Sequence, residues 1–280
     1  MAEISDHTLS RARLADALAF YREAGVDAAL DGAPHDRFAE HAAGMAARKA
    51  LAERAPAPAA PAPQRPRVSA VAALASDPRE AELAARAVAA AAGTLAELRA
   101  ALEAFEGCAL KATATQLVFA DGNPDAKIML VGEAPGGDED RIGKPFVGRA
   151  GQLLDRMLAA VKLDRAKVYI ANIVPWRPPG NRDPTPAEVA ACLPFLKRQI
   201  ELINPDVLIC LGKFAAENLL GISGGITRAR GQWRDYEAGG RKIRAMPMLH
   251  PAYLLRQPLH KRLAWRDLQE IERVLRTVAL

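Results

Sequence analysis

The sequence predicts an α/β protein whose mostly parallel sheet lies between two layers of helices. Short apolar runs at 116–119, 128–131, 168–173, 207–211 and 243–248 alternate with helical patterns at 151–161, 186–202, 214–219 and 265–278. Alternation of this kind is how parallel strands with crossover helices read, and it places ligands at the carboxyl ends of the strands. Candidate polar residues fall at such ends: Glu133, Asn172 and His250 each follow or close an apolar run. With 280 residues, 50% of them hydrophobic and 25% charged, the chain can bury one sizeable core and something smaller.

From the N-terminus, residues 1–54 are rich in alanine, with helical patterning around Leu14, Leu18, Tyr21 and Ala28 and again over 35–51, and read as a helical extension. Residues 55–68 begin APAPAAPAPQRP, a polyproline-like linker that cannot pack a core. The main domain is expected over 69–280. Its first element reads as one long helix over 76–104, ending near Gly107 and placed to cover a face of the sheet.

No window approaches the roughly 18 apolar residues of a membrane span, and the opening MAEISDHTLSRARL lacks the apolar core of a signal peptide, so a cytoplasmic protein is expected. Cys108, Cys192 and Cys210 are far apart and form no CxxC, which argues for reduced thiols rather than a disulfide framework or metal knuckle. The net charge of +5 points weakly to an anionic partner.

The chain is organised around KIMLVGEAPGGDEDRIGKPFVGRAGQLLD at 127–155. A strand breaks at Gly132 into a glycine-containing turn with four acids, Glu133, Asp138, Glu139 and Asp140, then enters a helix. Unpaired backbone N–H groups in such a turn suit developing negative charge. A phosphate cradle is the plainer reading, but no Lys-Ser/Thr pair follows the glycines and GxGxxG is missing. Further on, the last strand leads into MLHPAYLLRQPLHKRLAWRDL. There His250 precedes leucines and the basic residues Arg256, Lys261 and Arg262, a combination suited to a nucleic-acid backbone with an apolar wedge. The preceding Arg228, Arg230, Arg234, Arg241, Lys242 and Arg244 either extend that surface or line a solvated hairpin.

GEAPG at 132–136, GKPFVGRAGQLLD at 143–155, YIANIVPWRPPGNRDPTPAE at 169–188 and HPAYLLR at 250–256 together resemble the family 4 uracil-DNA glycosylases. The resemblance runs from Cys108 to the C-terminus. It implies a three-layer α/β/α fold around a mostly parallel sheet of about four strands, and an enzyme that flips uracil out of DNA and hydrolyses its N-glycosidic bond; a monomer is the natural form for an enzyme that scans DNA. By that resemblance Phe146 stacks on the extruded base and Asn172 reads its edge. His250, with backbone N–H groups near Gly132 and Glu133, stabilises the departing anion. Leu254 is the implied wedge, with Arg256, Arg149 and Lys261 on the DNA backbone, and Glu139 crowds the pyrimidine C5 side to exclude thymine. Family 1 relatives read GQDPY where this chain reads GEAPG, so their catalytic Asp falls at Ala134. Either Glu133 or Glu139 orients the water, or the reaction is dissociative enough to need little base assistance.

Family 4 enzymes hold a four-iron, four-sulfur cluster on four cysteines. Here the first pair reads Cys108-Ala109-Leu110-Lys111, the third position is Trp176, and Cys192 supplies the fourth. Two thiolates do not hold such a cluster, and Cys210 lies in a core strand, so no metal and no cofactor are expected. The departure leaves a second possibility, a non-catalytic or product-trapping relative that binds DNA lesions. Residues 1–54 could serve an unidentified protein partner.

Overall fold

A computed structural model describes residues 78–277. The expected N-terminal extension, the linker and the first residues of the main domain lie outside the described residues. Helices α1 (Pro78–Ala91) and α2 (Leu95–Ala104) and a 3-10 turn (Ala109–Ala112) lead into β1 (Asp121–Gly122) and β2 (Ile128–Gly132). Then follow α3 (Gly137–Ile142), α4 (Arg149–Ala160), β3 (Tyr169–Asn172), a 3-10 turn (Pro179–Asn181), α5 (Pro186–Ile203), β4 (Val207–Leu211), α6 (Lys213–Leu220) and α7 (Ile226–Ala229). The chain closes with β5 (Arg234–Ala238), β6 (Arg241–Met248), α8 (Pro251–Arg256), a 3-10 turn (Pro258–His260) and α9 (Lys261–Thr277).

The six strands form one sheet in the order β1-β3-β2-β4-β6-β5. The central four, β3, β2, β4 and β6, are parallel, and the edge strands β1 and β5 are antiparallel to their neighbours. Along β2 and β4 successive residues enter opposite cores, as a period of two requires. Met129, Val131, Leu208 and Cys210 face the side that also holds Leu98, Phe195 and Ile200 of α2 and α5. Ile128, Leu130, Ile209 and Leu211 face Leu154 and Leu158 of α4 and Leu268 and Ile271 of α9. Burial on both faces explains why these strands read as unbroken apolar runs.

Two expectations change, and one open alternative is decided. The run at 116–119 is not a strand: Val118 N–H donates to the Pro175 carbonyl, and paired strand begins only at Asp121. The helix expected over 76–104 is two helices, because Thr94 accepts the Glu97 N–H through its hydroxyl while the Glu97 carboxylate accepts the Gly93 N–H. Thr94-Leu95-Ala96-Glu97 is the T-x-x-E signature of a helix start, legible but overlooked. The basic run at 234–244 is largely a solvated hairpin, β5 and β6 turning at Gly239 and Gly240, both at positive φ as a tight hairpin turn requires.

Candidate functional site

Gly132 ends β2, Asn172 ends β3, Gly212 follows β4 and His250 follows β6, so four neighbouring parallel strands deliver these residues to one edge. Gly132 is required by crowding. A Cβ there would stand 2.5 Å from Asn172 Oδ1 and 2.6 Å from Phe146 Cζ. Gly212, at φ +91°, packs against His250, where an added Cβ would meet the His250 Cβ at 3.0 Å. Phe146 and His250 face each other at 5.4 Å between ring centroids, inclined by 31°. Gly132, Phe146, Asn172 and His250 therefore line one small recess.

Asn172 is 6% exposed, yet its side-chain amide has no hydrogen-bond partner among the described residues. Because no fully buried side-chain polar atom among the described residues goes unpaired, the amide tip keeps some access from the recess, where it is free to pair with a ligand. His250 caps α8: its Nδ1 accepts the Ala252 N–H at 3.1 Å. That bond assigns the proton of the neutral ring to Nε2, the remaining donor. Burial, reinforced by the nearby Arg256 charge, holds the imidazole pKa down at about 4, so the ring is neutral at physiological pH. Glu133 lies just past β2, its carbonyl accepting the Val174 N–H while its carboxylate has no hydrogen-bond partner among the described residues; burial, then the Asp183 charge, raises its pKa.

Phe146 is a bulky residue held at φ +55°, a conformation that persists only where its surroundings enforce it. Arg165 does much of this, donating to the Pro145 carbonyl at 3.1 Å and also to the Phe146 carbonyl. The guanidinium is itself anchored on Asp121 at 2.7 Å and Asp155 at 2.8 Å. Gly151 admits the Phe146 backbone, since a Cβ there would fall 1.6 Å from its carbonyl oxygen. On the other flank Glu139 Oε1 accepts the Val147 and Gly148 N–H groups at 3.0 and 2.9 Å, while Oε2 accepts the Gly136 N–H. Both carboxylate oxygens of Glu139 are thus committed to backbone. The expectation that it crowds a pyrimidine C5 gives way to a role in tying two loops together. Asp140 is likewise internal, accepting from the Thr115 N–H and hydroxyl at 2.8 Å each. Arg165 and Asp121 escaped sequence reading; Gly151, a glycine inside a helical pattern, was the available sign of a close backbone approach.

Leu254 is 1% exposed and belongs to the core beside α4 and α9, which corrects its expected part as a wedge. On α8, Pro251 and Leu254 share the inward face three residues apart, and Arg256 points outward. The exposed apolar side chain of this region is Leu259, at 84%, on the turn after α8. That turn is pinned to α8 by the Tyr253 hydroxyl against His260 Nδ1 at 2.8 Å. Arg256, Lys261 and Arg149 are all exposed. Several other arginines are structural: Arg230 pairs with the buried Asp267, Arg241 with Asp206, and Arg244 stacks over Trp233 at 4.6 Å.

A four-cysteine cluster does not fit the residues present. The sulfurs of Cys108 and Cys192 are 3.6 Å apart, in contact and with no room between them. Trp176 is buried in the same core, and the Lys111 ammonium is engaged by the Glu103 carbonyl and Glu106. Cys210 stands on β4, where burial raises its thiol pKa. Among the described residues no three His, Cys, Asp or Glu side chains are placed to hold a metal ion, and no helix is long and apolar enough to cross a membrane.

Residues 119–269 match the Uracil DNA glycosylase superfamily. The chain is 46% identical over 155 residues to a Type-4 uracil-DNA glycosylase of Archaeoglobus fulgidus, covering 54% of this chain and 78% of the relative. It is 49% identical over 150 residues to the Type-4 uracil-DNA glycosylase of Thermotoga maritima, covering 53% and 77%. With that of Sulfurisphaera tokodaii the identity is 39% over 169 residues, covering 59% and 77%.

Proposed function

Given that the chain belongs to the uracil-DNA glycosylase superfamily, and is a type-4-like enzyme that excises uracil from DNA, we propose that Phe146, Asn172 and His250 divide the reaction as follows. The extruded uracil stacks on Phe146, a contact worth about 1–3 kcal/mol. Asn172 closes the base edge, its NH₂ donating to O4 and its carbonyl accepting from N3–H. Cytosine presents the opposite pattern and leaves the amide unpaired. The unpartnered, nearly buried Asn172 amide beside an aromatic ring is the observation that carries this reading.

As the N1–C1′ bond breaks, its electron pair passes to uracil and negative charge grows on O2. His250 Nε2–H donates to that oxygen. A neutral imidazole suits the task, because it stabilises the anion without first giving up a proton. The sugar becomes oxocarbenium-like, water adds to C1′, and its proton passes to solvent or to Glu133. The raised proton affinity of Glu133 supports that carboxylate over Glu139, whose oxygens are already bonded. Leu259 takes the wedge position expected of Leu254, and Arg149, Arg256 and Lys261 meet phosphates.

The test is single-turnover excision from a uracil-containing oligonucleotide by the parent, Asn172→Ala and His250→Ala. Uracil release by the parent, slowed by at least about 100-fold in the His250 variant, is the expected result. A folded parent that binds the oligonucleotide but releases nothing would overturn the assignment and favour the lesion-binding alternative.

A further inference from the structure

We propose that Cys108 and Cys192 are a modification site, an oxidisable dithiol that a hydroperoxide closes to an intramolecular disulfide. The two thiols are buried, 84 positions apart in sequence and 3.6 Å apart in space. A disulfide spans about 2.05 Å, so closure needs sulfur travel of about 1.5 Å. Their environments differ in the way such chemistry needs. Cys108 immediately precedes the 3-10 turn, and the Cys192 thiol, against the opposing effect of burial and with help from the Leu110 and Lys111 backbone, favours its thiolate. Cys192 lies deep in α5, and burial keeps it protonated. Cys108 is thus the attacking group and Cys192 the resolving one. Ala109 and Ala112 beside Cys108 are exposed, so a small oxidant has a short way to go.

In the first step the Cys108 thiolate attacks a peroxide oxygen and the O–O bond breaks. The sulfur becomes a sulfenic acid, and the peroxide is reduced to an alcohol, or to water when hydrogen peroxide is used. In the second step the Cys192 sulfur attacks the Cys108 sulfur, the S–S bond forms and the S–O bond breaks. Hydroxide leaves with the Cys192 proton as water. Two thiols and one hydroperoxide thus become a disulfide, water and an alcohol. The bond would fasten the 3-10 turn to the middle of α5. A few residues beyond that turn Thr115 holds Asp140 of α3, so the staple would brace the segment that supports the active-site loop.

The full chain, reduced and then exposed to hydrogen peroxide, is denatured, blocked with N-ethylmaleimide and weighed intact. The untreated chain should take three adducts, one for each of its cysteines, and the treated chain a single adduct at Cys210. Dithiothreitol should restore all three, and the oxidised form should melt about 10 °C higher. In Cys192→Ser, dimedone should trap Cys108 as its sulfenic acid, with circular dichroism confirming the fold. Three adducts after treatment, thiol loss that dithiothreitol does not reverse, or no rise in melting temperature would each overturn the proposal. None of these readouts depends on uracil excision.

Discussion

Replacing Gly132 by alanine tests the recess with one methyl group. The new Cβ would sit 2.5 Å from Asn172 Oδ1 and 2.6–2.7 Å from two carbons of the Phe146 ring. Ordinary contact begins near 3.4 Å, so each neighbour must yield by about 0.8 Å, and Phe146 is already pinned by Arg165 and Gly151. Overpacking of this size costs about 1–3 kcal/mol of stability, a fall of about 2–10 °C in melting temperature for a domain of this length. A shift approaching 1 Å in the groups that stack on and read the base costs about 100-fold in rate. The assay is single-turnover excision with enzyme in excess, paired with binding to undamaged duplex, which should stay within about twofold because the recess lies off the phosphate contacts. An unchanged excision rate in a folded Gly132→Ala protein would refute the reasoning that these residues converge on the base.

Arg165→Lys keeps the charge but loses the fork that serves two carbonyls, so excision should slow by about 10-fold or more while affinity for undamaged DNA holds, as single-turnover rates against filter binding would show. His250 should stay neutral as pH falls from 8 to 5, giving a leaving-group step without a His inflection in a pH–rate profile; an inflection near 6.5 would contradict it. For stability the sign is opposite to a stabilising protonation. Between the ordinary His pKa of about 6.5 and the folded value of about 4 the unfolded chain binds the extra proton, so stability falls as pH falls through that window, by up to about 3 kcal/mol, and His250→Gln should flatten the fall in urea titrations. Leu254→Ala should lose about 2–5 kcal/mol of stability, whereas Leu259→Ala should leave the melting temperature in place and slow excision from duplex more than from single strands.

Much of the site was legible because its chemistry sits in consecutive residues. Gly132, Asn172 and His250 each lie in a short motif at or just past a strand end, where alternation places them together, and Phe146 lies in its own motif in the loop between α3 and α4. What holds them was not. Arg165 acts on carbonyls 19 and 20 residues earlier in the chain and is anchored on Asp121 farther back still, and no local pattern announces such a bond. Leu254 misled because a leucine four places after a histidine looks the same whether its helix turns it outward or inward. Its helix lies against α4, and the decision rests with that packing. The edge strands were missed for different reasons: β1 has two residues, and β5 reads RDYEA, too polar to resemble a buried strand.

Those edges have a consequence for life at crowded DNA. A sheet whose last strand offers a long, flat row of free N–H and C=O groups recruits strands from other molecules. Here one end stops after a two-residue strand, and the other is lined with exposed Arg234, Asp235 and Glu237 against a twisting Gly-Gly turn. A second copy approaching β5 would have to bring matching charges into register and desolvate them, so the β-sheet ends discourage self-templating. The parallel interior, rich in aliphatic strands that would aggregate if bare, is sheltered behind two sacrificial borders.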